Sequence, residues 1–164
     1  MLAPLDTSVL AQVAVPISVP LLFLVGIVAG VVATLAMDRV MDRVDEGWTP
    51  PRVAAGVLTD THPDESPERL SSVVHYVAGT LSGALFVWLL FAAGNVVGPG
   101  TLATVLAGVV MYPLMVGFFA LVVLPRSAGL PRQRLRRIRR AWAIEAAVYL
   151  LVLVPLIGVV AVGL

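Results

Sequence analysis

Four runs of 22 to 24 residues, at 16–37, 72–93, 101–124 and 141–163, contain between them a single Asp, Glu or Arg. A helix rises about 1.5 Å per residue and bilayer hydrocarbon is about 30 Å thick, so about 20 apolar residues make one crossing. Irregular backbone is not tolerated against lipid, and these runs lack the alternation of barrel strands, so each is expected to be a helix. The fold class that follows is all-α, a four-transmembrane-helix bundle forming one integral membrane domain over residues 1–164. Composition agrees, with 59% hydrophobic and 13% charged residues and a mean hydropathy of +0.98, where soluble domains carry about 25% charged residues.

Positive charge close to a span is retained on the cytoplasmic side of a membrane. All eleven basic residues are arginine. Residues 38–71 carry Arg39, Arg43, Arg52 and Arg69, and residues 125–140 carry Arg126, Arg132, Arg134, Arg136, Arg137, Arg139 and Arg140. The amino terminus, the 95–100 turn and the carboxyl terminus have none. The expected topology places both termini outside and two long loops in the cytoplasm, in a multi-pass protein integral to the cell membrane. The amino-terminal stretch lacks the positive leader of a secretory signal and carries Asp6, so the first helix is expected to be retained. The absence of cysteine removes disulfides and thiolate nucleophiles.

Punctuation along the chain suggests the element ends. Pro16 and Pro20 lie near the entry of helix one, where a missing amide hydrogen is tolerated, and residues 7–15 are expected along the outer interface. The segment 38–46, with charges at four-residue spacing, should prolong helix one beyond the membrane. Val53–Leu58 can form a short interfacial helix. Ser66 as cap, Pro67 at the first helical position and Glu68 in the first turn should start helix two. Gly94 to Gly100 makes a tight antiparallel turn, and Pro155 should kink helix four or be accommodated by its neighbours.

In lipid, helices associate by packing rather than by the hydrophobic effect, and small residues let backbones approach. Gly26, Gly30 and Thr34 recur at four-residue spacing on helix one and lead to Asp38; His75, Gly79 and Gly83 recur on helix two. Antiparallel packing of the two stripes brings Asp38 and His75 to one depth. Ala103, Ala107 and Gly108 offer a further close contact on helix three. Glu145 is the anomalous charge, flanked by alanines and isoleucine inside the fourth run, where an ionisable group costs about 2.5 to 3.5 kcal/mol and normally has a partner. Tyr149 follows one turn later. Asp38, His75, Glu145 and Tyr149 therefore make a candidate polar cluster, with His75 expected within reach of Asp38 or Glu145. The bland alternatives are plain helix packing for the stripes and pairing of Glu145 with a loop arginine.

Arg132, Arg134, Arg136, Arg137, Arg139 and Arg140 form a basic lead into helix four and suit anionic head groups, at about 1 kcal/mol per nearby Arg. Attachment to a span makes lipid, not nucleic acid, the nearest anion. The first loop holds eight carboxylates against four arginines, so it complements the second loop, and the two should dock. No cofactor or metal is expected: arginines neutralise the 38–46 carboxylates, and the spacing around His62 is unspecific. No catalytic motif is found, which argues against an enzyme.

The segments Gly26-Ile-Val-Ala-Gly30-Val-Val-Ala-Thr34-Leu-Ala-Met37-Asp38 and His75-Tyr-Val-Ala-Gly79-Thr-Leu-Ser-Gly83 resemble small prokaryotic multi-pass membrane proteins of the YagU-like type. That resemblance implies a polytopic membrane protein and no particular reaction. Two roles stay open at this point. One is a self-associating or accessory membrane subunit, as a homo-oligomer or with another membrane protein. The other is transport of protons or a small solute through an oligomer, using the Asp38, His75 and Glu145 cluster.

Overall fold

The computed structural model describes residues 18–127 and 129–161. The expected start of helix one at Pro16, the interfacial course of residues 7–15, the end of helix four at 163 and the placement of both termini lie outside those residues. The described chain is all helical, with no strand among its residues. In order, the elements are α1 (Val19–Met41), α2 (Thr49–Thr59), a 3-10 turn (Pro63–Glu65), α3 (Glu68–Val97), α4 (Thr101–Phe118), which widens into a π segment (Phe119–Val123) and a 3-10 turn (Leu124–Arg126), and α5 (Arg132–Ala161). Four of these helices are long and apolar enough to cross a membrane.

The long helices form a ring in which α1 packs on α3 and α5, and α4 packs on the same two from the opposite side. Successive long helices run antiparallel, so α3 and α5, across the ring from one another, are parallel. One end of the bundle carries the 42–67 and 127–131 connections and is termed the loop end; the other carries the Gly98-Pro99-Gly100 turn. Gly98 and Gly100 have φ of 83° and 127° there, a backbone region that glycine adopts without steric penalty. The core runs along the ring axis through Leu22, Met37, Phe86, Met111, Tyr149 and Leu153. A second cluster at the loop end joins Val53 of α2 to Phe119, Leu124 and Ile138, so the short helix seats against the base of α4 and α5.

The small-residue stripes pack against each other within the chain. A Cβ on Gly26 would lie 2.6 Å from Val87 and 2.8 Å from the Gly83 carbonyl, and one on Gly30 would lie 2.9 Å from the Gly79 carbonyl. A Cβ on Gly83 would strike the Gly26 carbonyl, and one on Gly79 would strike the Thr34 hydroxyl. That hydroxyl donates to the Gly30 carbonyl at 2.8 Å, so it is satisfied within its own helix. Ala103 and Ala107 are likewise buried inside the bundle.

Several element ends differ from those read in the sequence. Helix one stops at Met41 instead of continuing to Glu46, because the chain folds back over residues 42–48. Glu46 takes a left-handed φ of 64°, and Gly47 lies so close to the Met41 backbone that any side chain would collide. Pro67, not Ser66, is the residue before helical Glu68; the Ser66 hydroxyl instead donates to the Pro63 carbonyl at 2.8 Å. The short helix expected over Val53–Leu58 spans Thr49–Thr59. α5 runs unbroken from Arg132 through Pro155, so the basic lead and the apolar run form one helix.

The α1–α3 contact should tolerate no side chain at its centre. Gly83→Val is expected to lower the stability of the detergent-solubilised protein by about 1–3 kcal/mol through overpacking. Gly117→Ala, at a site with nothing within 4 Å of the added Cβ, should change little. Equilibrium unfolding in mixed micelles compares the two, and equal stability would discount the close approach.

Candidate functional site

The close approach of α1 and α3 carries through to the loop end, where one carboxylate is held by two successive residues of α3. His75 Nε2 lies 2.7 Å from Asp38 Oδ1, and the Tyr76 hydroxyl donates to Asp38 Oδ2 at 2.8 Å. An ionised carboxylate only accepts, so the imidazole Nε2–H donates in this pair. The side chains of His75 and Asp38 are 3% and 14% exposed. Trp48, on the returning 42–48 turn, meets the imidazole edge-on with ring centroids 5.9 Å apart, and its indole N–H donates to Asp42 Oδ1 at 2.9 Å. The expected contact of His75 with a carboxylate is thus made by Asp38.

Glu145 takes no part in that hydrogen bonding. It is wholly buried, and neither carboxylate oxygen has a hydrogen-bond partner among the described residues. Its depth follows from Tyr149, whose hydroxyl donates to the Gly79 carbonyl at 2.6 Å and fixes the register of α5 against α3. Both helices run away from the loop end, so one turn back from that bond lie Glu145 on α5 and His75 on α3. The four residues of the expected cluster thus occupy two adjacent layers: Tyr149 with Gly79 in one, and Asp38, His75 and Glu145 in the next. Pairing of Glu145 with a loop arginine is not observed.

Nearer the loop end of α5, Tyr112 donates to the Ala143 carbonyl at 3.2 Å, and Trp142 donates to the Met115 carbonyl at 3.0 Å. These bonds tie α4 to the segment of α5 that carries Glu145. The π segment follows directly, and Phe119 within it packs on Trp142 with centroids 5.0 Å apart.

The expected docking of the two loops is made by Arg134, one of the arginines also read as suited to a lipid surface. Its guanidinium grips Asp64 with two bonds of 2.7 Å and donates through Nε to Glu46 at 2.9 Å. A fork that matches two carboxylates of its own chain is not free for a head group. Arg137 lies 3.6 Å from Asp45 and 3.8 Å from Glu46, at the outer limit of pairing. Arg132, Arg136, Arg139 and Arg140 are exposed. His62 is turned inward on its own segment, its ring accepting from the Asp64 amide at 3.3 Å and resting against Gly129.

Tyr76 and Trp48 are site residues that the small-residue stripe did not reveal. Tyr76 follows His75 and lies off its helical face, yet two consecutive side chains can straddle a carboxylate on a facing helix. An aromatic residue beside the end of an apolar span, such as Trp48, is the signal for an interfacial anchor. Chemically, the layer offers an imidazole, two carboxylates and a phenol, groups able to exchange protons. Comparison with protein-family models, curated proteins and solved structures finds no match to this chain.

Acid should loosen the loop docking. Arg134 holds Asp64 below its ordinary value of 3.8 by hydrogen bonding and by charge. Burial alone would raise Glu46, but hydrogen bonds from Arg134 and Thr49 and the charges of Arg134 and Arg137 outweigh it and hold Glu46 below 4.5. Depressed carboxylates contribute stability that is complete above their ordinary values and disappears as pH falls through the lowered ones. Amide protection across residues 61–66, taken relative to the intrinsic exchange rate, is expected to fall below about pH 4. Arg134→Gln should raise exchange already at neutral pH and flatten that acid dependence; an unchanged profile would count against the staple.

Proposed function

We propose that this protein is a multi-pass subunit of the cell membrane, with its loop end in the cytoplasm and both termini outside, that takes up and releases a proton at the Asp38, His75 and Glu145 layer. The orientation rests on the arginines, all of which fall in or beside the two loop-end connections. Exposed Arg132, Arg136, Arg139 and Arg140 then face anionic head groups.

The observation that carries the proposal is Glu145. A carboxylate with no partner in a low-dielectric interior costs several kcal/mol, and an apolar side chain of similar size would pack there without that cost. A group at such a site adds no stability of its own. Asp38, partly exposed at the loop end and bonded to buried His75, provides a relay toward the cytoplasmic side. Beyond Tyr149 no Asp, Glu, Arg or His side chain lies among the described residues toward the turn end. Exchange is therefore with one side, and the protomer acts as a proton-responsive subunit rather than as a complete conduit.

Glu145→Met is expected to raise stability by about 1–3 kcal/mol, the penalty of an unsatisfied buried group. The same variant should abolish the carboxyl band that infrared difference spectra record when the wild-type protein in lipid is taken through a pH step. His75→Gln should slow the appearance of that band. A Glu145→Met protein less stable than wild type, or a wild-type spectrum without a Glu145 signal, would overturn the proposal.

Self-association is a second reading, and one observation favours it. The helix from Thr101 to Arg126 has 17% of its most apolar window buried, against 33% for each of the other three. Val109, Leu114 and Phe118 are exposed on it. A second copy, or another membrane protein, seated there would bring it level with its neighbours. Cysteine cross-linking at Val109 in native membranes should yield a discrete higher-mass species; a uniformly monomeric product would leave this helix to lipid.

A further inference from the structure

At the loop end a cleft of about 300 Å³ opens between the 42–48 turn, α2 and the start of α3, lined by Trp48, Pro51, Arg52, Glu68, Ser71 and Ser72. Its volume lies at the small end of ligand-binding sites. Two of its walls carry opposite charge, Arg52 on α2 and Glu68 in the first turn of α3. Among the described residues neither forms an ion pair, with the other or with any third group. The neighbouring loop charges behave differently, since Arg134, Glu46 and Asp64 are locked together at 2.7–2.9 Å. The cleft thus keeps one cation and one anion available at separate positions.

We propose that this cleft binds a membrane lipid whose head group carries both a phosphate and a primary ammonium, a phosphoethanolamine lipid. Arg52 supplies a planar fork for the phosphate. Glu68 supplies the counter-charge for the ammonium. The serine hydroxyls fit the same division. Ser71 donates to the Pro67 carbonyl at 3.2 Å and Ser72 to the Glu68 carbonyl at 3.1 Å, so each oxygen offers acceptor lone pairs and suits N–H groups better than phosphate oxygens. The indole N–H of Trp48 is occupied by Asp42, which leaves its ring for the ammonium. A head group with phosphate alone would bring its charge against Glu68, and a trimethylammonium group has no hydrogen to give to Glu68 or the serines.

A lipid rather than a soluble phosphoethanolamine is the occupant because the cleft opens at the loop end of the spanning helices, the level at which head groups crowd the protein. The proposal rests on the reading that the loop end lies at a membrane surface, and it is independent of proton exchange at Glu145.

The test uses the full chain in nanodiscs of phosphatidylcholine doped with phosphatidylethanolamine or phosphatidylglycerol, with retained lipid counted by native mass spectrometry. The wild type should retain phosphatidylethanolamine over both others. Arg52→Gln should lower retention of phosphatidylethanolamine about tenfold, as expected for one charge-assisted hydrogen bond. Glu68→Gln should reverse the preference toward phosphatidylglycerol, while Glu68→Asp preserves it. Equal retention of the lipids by the wild type, or a ranking unmoved by Glu68→Gln, overturns the proposal. Displacement of the bound lipid by submillimolar glycerophosphoethanolamine would overturn the lipid as occupant and assign the cleft to a soluble ligand. Failure of the chain to enter nanodiscs would instead remove the membrane reading on which the cleft depends.

Discussion

The backbone contact between α1 and α3 governs the rest of the bundle. With no hydrophobic driving force between helices in lipid, association depends on how many atoms come into van der Waals range. Glycine at 26, 30, 79 and 83 removes every side chain that would hold these two helices apart. The same proximity brings Asp38 on the last turn of α1 under His75 and Tyr76 on the second turn of α3. A wider spacing would leave the carboxylate and the imidazole separately desolvated, at a cost of several kcal/mol. The polar layer is therefore a product of the apolar packing above it, and not an independent feature.

Much of this architecture was legible because lipid narrows the choices. Apolar run length, the demand that backbone groups bond internally and the spacing of small residues lead to four helices and to the pairing of the first two. Asp38 and His75 were legible for a geometric reason: each ends a four-residue stripe, and antiparallel packing superimposes the ends. The 42–48 turn was not legible. Its residues repeat at helical spacing, and local propensity favours continuing the helix, but burial of Met41 and the seating of Trp48 against His75 turn the chain back. Ser66 misled for a similar reason. A serine before proline matches a cap pattern, yet here its hydroxyl closes the preceding 3-10 turn. That the two loops dock was legible from their opposite charge, but not which arginine makes the bond; the fork that binds Asp64 and Glu46 emerges only once α2 is seated.

Glu145 shows the opposite relation between sequence and structure. An isolated acid in an apolar run stood out at once, and its isolation persists in the folded bundle, where neither oxygen is satisfied among the described residues. Tyr149, one turn further on, is equally buried but donates to a backbone carbonyl that already serves its own helix, so it binds α3 to α5 without disturbing either. Two polar residues on one helical face thus differ, one bonded across a helix pair and one left without a partner among the described residues. The distinction lies in whether the surrounding backbone offers a partner.

Trp48 has a position whose consequence extends beyond packing. One indole forms a wall of the Arg52–Glu68 cleft and also rests its ring against the imidazole of His75. An occupant that displaces the ring changes the surroundings of the imidazole, and a movement of the imidazole acts on the ring in return. Thermodynamic reciprocity requires the two effects to be equal in free energy. A surface cleft and a buried imidazole thereby share a single side chain.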